Sequence, residues 1–330
     1  MPASRTAEYV IGAPSRAGRG RHSPGLTTQS EGAFLNGFAY DGVNHRLFVR
    51  DSTVNAWQPR GRILVFDVHP DRVEDGPDAI AVLGQPDFTS YLMGGVGPSE
   101  MGSIDQEALD EKNQRLFITD RANHRIMVWD IHPERLNEAP DAMVVLGQQD
   151  FFSKDPGVGD SAFNRPGELH YDEESDRLFV TDMGNHRILV FDAAPGSLTT
   201  GMAATLVLGQ EDFEASTPGT SASRFDAPSD LEYDPEFNRL FVVDGGASGG
   251  FSSAASGRQR LLVFDAAVGR LQTGAGASLI LGQPDFLTRQ SRLSAKKWTE
   301  GLELDVATQR LFANEGDRML VFDIHPNRLF

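Results

Sequence analysis

A β-propeller of four-stranded blades is the fold this sequence predicts, and three observations predict it. A block headed by Arg-Leu-Phe recurs at Arg46, Arg115, Arg177, Arg239 and Arg310, so successive copies lie 69, 62, 62 and 71 residues apart. Each block holds four short runs, mostly rich in β-branched or aromatic residues and separated by turn chemistry, which read as four strands. No helical period competes over any long window. Four antiparallel strands per unit, repeated around a ring, describe a propeller.

Within each block the first strand ends at an aspartate: Asp41, Asp110, Asp172, Asp234 and Asp305. The second is the Arg-Leu-Phe run, and the third carries a Val-Phe-Asp or Val-Trp-Asp ending. The fourth is the Leu-Gly-Gln run at Leu83, Leu146, Leu208 and Leu281. The links between first and second strands, such as 42–45 and 173–176, are as tight as antiparallel hairpins require. The first three strands occur five times and the fourth only four times internally. The missing copy is expected at 9–14, where Tyr-Val-Ile-Gly-Ala-Pro mirrors the Ala-Val-Leu-Gly-Gln-Pro of 81–86. The expectation is one propeller domain over 1–330 with five blades, the N-terminal strand 9–14 completing the last blade and leaving no unpaired edge. Six blades stay open if the sequence is a fragment.

Composition narrows the function classes. The chain has 330 residues, 47 acidic and 30 basic, for a net charge of −17, and no cysteine. Disulfides, thiol nucleophiles and cysteine-ligated zinc are therefore excluded. Phosphate backbones need clustered Lys and Arg, so nucleic acid is not an expected partner. Apolar runs fall far short of the ~18 residues that span a bilayer. Residues 1–10 lack the apolar core of a signal peptide. The compartment stays open, including an extracytoplasmic one if this is a mature form.

Two stretches, 120–130 and 182–192, read Asp-x-x-Asn-His-Arg-Ile-x-Val-Phe/Trp-Asp, allowing Leu at the x between Ile and Val. This pattern resembles the NHL repeat. The Val-Leu-Gly-Gln-x-Asp-Phe tag resembles the version common in bacterial NHL-repeat propellers. Loop departures occur at Val54-Asn55-Ala56, at Arg258-Gln259 and at Gly316-Asp317. The resemblance implies a propeller that commonly serves as a protein- or ligand-binding platform, and it does not imply an activity.

Residues repeated blade by blade read as structure, since a group needed once for catalysis has no reason to recur five times. Asp51, Asp120, Asp182 and Asp244, with Glu315, end the second strand. They face Arg62, Arg125, Arg187, Arg260 and Arg318 across the hairpin and are expected to pair with them and to accept turn N–H bonds. The Phe columns, with Trp129, are expected core. His124 and His186 read as turn residues, and no His-Glu-x-x-His spacing supports zinc.

Function is sought where the blades differ. The long, dissimilar connections emerge on one face, together with Trp57, while Trp298 also lies outside the repeat columns; both are candidate partner anchors, or else loop packing. The first strands, expected to line the channel, are acidic: Asp105, Glu107, Glu168 with His170, Asp230 with Glu232, and Glu300 with Glu303. Strand alternation puts Glu168, His170, Asp230, Glu232 and Glu303 on one face and leaves Asp105, Glu107 and Glu300 off it. Such carboxylates suit a hard cation such as Ca²⁺, which wants six to eight oxygens. They equally suit a cationic ligand or a solvated channel. His170 adds a proton-transfer group. The leading expectation is a non-enzymatic scaffold that binds a protein or small ligand through the long-loop face, or a subunit of a larger assembly. The alternative is a metal-dependent hydrolase or lyase with its site in the channel, by analogy with propeller lactonases and amidating lyases.

Overall fold

The computed structural model describes residue 11 and residues 33–53, 60–90, 94–245, 260–288, 302–314 and 319–328. The fold is an all-β propeller with five antiparallel sheets. In chain order the first sheet holds β1 (Ala33–Asp41), β2 (Arg46–Thr53), β3 (Arg60–Asp67) and β4 (Ala81–Leu83). The second holds β5 (Ile104–Asp110), β6 (Arg115–Asp120), β7 (Arg125–Asp130) and β8 (Val144–Leu146). The third holds β9 (Pro166–Asp172), β10 (Arg177–Asp182), β11 (Arg187–Asp192) and β12 (Leu206–Leu208). The fourth holds β13 (Pro228–Asp234), β14 (Arg239–Asp244), β15 (Arg260–Asp265) and β16 (Leu279–Leu281). The fifth holds β17 (Leu302–Asp305), β18 (Arg310–Asn314) and β19 (Met319–Asp323). The strand expected at 9–14 lies outside the described residues except for Ile11, which packs against Val49, Leu64, Phe66 and Val82 of the first sheet.

The chain divides into two compact units. One comprises Met1–Val145 with Asp150–Lys154, and the other Leu146–Gln149 with Asp155–Phe330. In the first unit β1 lies against β5, and Phe48, Ile63 and Val65 of one sheet bury against Leu116, Met127 and Trp129 of the next. In the second unit β13 lies between β9 and β17. There Phe179 and Val190 pack on Tyr233, Leu240 and Val242, and Phe241 and Val263 pack on Leu302 and Leu311. Sheets twisted by their own chirality bury each face on a neighbour's face, which is why the second and third strands of the second, third and fourth sheets are buried along nearly their whole length.

The repeated polar residues hold the turns. Arg62, Arg125, Arg187 and Arg260 are fully buried and pair with Asp51, Asp120, Asp182 and Asp244 at 2.8–2.9 Å. Each guanidinium also donates to the carbonyl of the tag phenylalanine: Arg62 to Phe88 at 2.6 Å, Arg125 to Phe151 at 2.6 Å, Arg187 to Phe213 at 2.5 Å and Arg260 to Phe286 at 2.7 Å. The aspartates accept backbone N–H bonds from the segment entering each sheet, from Gly102 (3.0 Å), Asn164 (2.7 Å) and Asp226 (2.6 Å). Those donors belong to the connection between sheets, not to the turn between second and third strands where they were expected. In that turn, Asn123 and Asn185 contribute side-chain amides to the same carboxylates. The tag is thus explained. Its Gly takes φ near +80° (Gly84 +83°, Gly209 +82°), its Asp folds the next turn through its carboxylate, and its Phe carbonyl receives the buried Arg. His124 and His186 occupy the left-handed region at φ 54° and 56°, as turn residues do.

Candidate functional site

The first strand of each complete sheet starts with a break in register. It falls between Leu35 and Phe38 in β1, Ile104 and Glu107 in β5, Pro166 and Leu169 in β9, and Pro228 and Asp230 in β13. A bulge bends a strand and re-aims the side chains beside it. In β9 and β13 the polar residues after or within the break are half-buried, while Leu169 and Leu231 between them are buried. The strand therefore turns Glu168 and His170, and Asp230 and Glu232, to one face and anchors the other in the core.

On that face His170 Nδ1 stands 3.8 Å from Glu232 Oε2. The gap is too long for a direct hydrogen bond, so each group keeps bonding capacity for a third molecule. Their side chains are 30% and 24% exposed, recessed but reachable. The His170 ring lies against Tyr233 with centroids 5.8 Å apart, and Tyr233 stacks on Phe179 at 5.7 Å. The Tyr233 hydroxyl donates to Asn238 at 2.8 Å and accepts from Arg177 at 3.3 Å, which fixes the wall behind the imidazole. Asp230 accepts the Leu302 N–H at 2.9 Å and so ties β13 to β17, where the exposed Glu303 stands.

Burial pushes the Glu232 carboxyl up to about 8, and the charges of Asp230 and Glu303 push in the same direction. Burial also lowers His170 to about 4, against a weaker opposing pull from Asp172. At neutral pH the pair is a protonated carboxyl beside a neutral imidazole.

The other candidates lie elsewhere. Asp105 pairs with Arg121 at 2.7 Å, and Glu107 is buried against Arg50 at 3.5 Å, both within the first unit. Trp57, Trp298 and Glu300 lie outside the described residues. Among the described residues no group of three or more His, Asp or Glu side chains is arranged to hold a metal ion. Also among them, no helix is long and apolar enough to cross a membrane. The sequence reading did not single out Tyr233; its signal is the Tyr-Asp ending shared with Tyr171. Nor did it find the Asp230–Leu302 link, which joins residues 72 positions apart.

Fold and site together define a β-propeller with a recessed histidine–carboxyl pair on neighbouring first strands. Solved structures similar to it include two propellers. One is a Bacteroides uniformis protein named for 6-phosphogluconolactonase activity, 12% identical at a TM-score of 0.51, the match covering 89% of this chain and 67% of that one. The other is the periplasmic gluconolactonase of Pseudomonas aeruginosa, 16% identical at 0.52, covering 86% and 64%. The chain spans about two thirds of the length of each. No family model and no curated protein matches the sequence.

These likenesses correct the expectation of a non-enzymatic scaffold, because the propellers that this chain resembles over most of its length are named as lactonases. The error has a physical source. Residues common to every blade carry the structure, and those that occur once, His170 and Glu232 among them, read in sequence as well for a binding face or a solvated channel as for a reacting pair.

Proposed function

We propose that the chain is a hydrolase of the lactonase kind, opening a cyclic ester at His170 and Glu232. The reading takes 1–330 as one propeller domain built from NHL-type repeats and the substrate as a small molecule. The observation that carries it is the recessed pair 3.8 Å apart, one partner a neutral base and the other a neutral acid. The fold it shares with two propellers named as lactonases supports the choice of a cyclic ester.

Neutral His170 takes a proton from water as its oxygen attacks the ester carbonyl. Glu232 then gives its proton to the ring oxygen as the carbon–oxygen bond breaks, which leaves a free acid and a hydroxyl. The imidazolium and the carboxylate so formed are neighbours, and transfer of one proton between them restores the starting pair. No step is routed through a metal. The test is hydrolysis of glucono-1,5-lactone followed by acid release against the spontaneous rate. Wild-type protein is expected to exceed background, and Glu232→Gln and His170→Asn each to lose about 10²–10⁴-fold with unchanged circular dichroism. Wild-type turnover at background, or variants that match wild type, would overturn the reading.

A further inference from the structure

We infer that this site selects an uncharged lactone and discriminates against its phosphorylated counterpart; the inference rests on the lactonase reading and adds the substrate's charge to it. Both kinds of substrate occur in the names of the similar propellers, so the choice between them is a real one.

The observations concern which charges surround the pair. The strands β9, β13 and β17 carry Glu168, Asp230, Glu232 and Glu303 and no Lys or Arg. Asp230 accepts a backbone N–H from Leu302. In the third and fourth sheets the arginines of the flanking strands are each matched to an aspartate of their own sheet: Arg177 with Asp172, Arg187 with Asp182, Arg239 with Asp234 and Arg260 with Asp244. Among the described residues the second unit contains no Lys. Arg165 lies just ahead of β9, beyond the register break that separates Pro166 from Leu169.

A phosphate brought to β9, β13 and β17 would meet carboxylates and, on those strands as described, no guanidinium, whereas phosphate recognition ordinarily uses forked Arg donors. Hydroxyls of an unphosphorylated sugar lactone meet no such penalty, because carboxylates accept O–H bonds. The bias is electrostatic and therefore screened by salt.

The experiment compares kcat/KM for glucono-1,5-lactone and 6-phosphogluconolactone on the full chain at pH 6 and low salt. The expected preference for the uncharged lactone is at least about tenfold, the size of one or two repulsions between near-surface charges. Raising salt to 1 M should lower KM for the phosphorylated substrate more than for the uncharged one. Glu303→Gln should narrow the preference further. Equal or faster turnover of the phosphorylated lactone, or a preference untouched by salt and by Glu303→Gln, overturns this inference while leaving the hydrolase in place. Turnover of neither substrate above background overturns the lactonase reading itself, and the inference with it.

Discussion

At the residue scale the unusual feature is a pair of titratable groups whose surroundings push them in opposite directions. Glu232 is protonated up to about pH 8 and His170 is neutral down to about pH 4. Plots of kcat/KM should therefore rise through about 4 as His170 loses its proton and fall through about 8 as Glu232 loses its own, these being apparent values of the coupled pair. Glu232→Gln should abolish the alkaline limb along with most of the activity. The same carboxyl affects stability. Its folded value lies above the ordinary one, so the folded state holds a proton that the unfolded chain releases between about pH 4.5 and 8. Stability contributed by this group is complete below 4.5 and is lost as pH rises to 8. Melting curves should show Glu232→Gln gaining on wild type from pH 5 to pH 8; an unchanged difference would place Glu232 in ordinary solvent.

Elements are held by pieces that recur, and the exceptions among them are instructive. Gly209 sits at φ +82°, and a Cβ there would overlap the Phe225 ring. Gly209→Ala should cost about 1–3 kcal/mol in backbone strain alone, read as a lower urea midpoint. Between the first two sheets Arg50 and Glu107 form a buried ion pair at 3.5 Å. At the register positions they occupy, the fourth and fifth sheets place Val243 and Leu302 in one apolar cluster. Gly37 leaves the room, because a Cβ there would overlap the guanidinium. Burial pushes the Glu107 carboxyl up, with Arg50 opposing. Glu107→Leu alone takes the Glu107 carboxylate from a buried guanidinium and should cost about 3–5 kcal/mol, whereas Arg50→Val with Glu107→Leu should recover most of it. A double variant as unstable as the single would show that the pair does more than fill the gap.

On the scale of the whole molecule, the proposal of a single domain predicts one cooperative unfolding transition. Fluorescence of the buried Trp129 and far-ultraviolet circular dichroism should then coincide in urea; two separated transitions would divide the chain. The acidity of −17 also resolves into parts. Carboxylates paired blade by blade with arginine cancel in that sum, so the excess lies in the others, of which Glu168, Asp230, Glu232 and Glu303 crowd the first strands of the second unit. The five-sheet propeller, the strand order and the buried Arg–Asp columns were legible in residue order alone, because repeats multiply each local signal and period-2 alternation assigns a face to every side chain. The alternation also put His170, Glu232 and Glu303 on one face. Sequence could not supply the 3.8 Å gap across two sheets, the Leu302 N–H on Asp230 or the Tyr233 wall, and it misjudged the function. Those depend on how neighbouring sheets pack and on how much water that packing removes. Burial, which no residue carries by itself, turns an acidic stretch into an acid and a base.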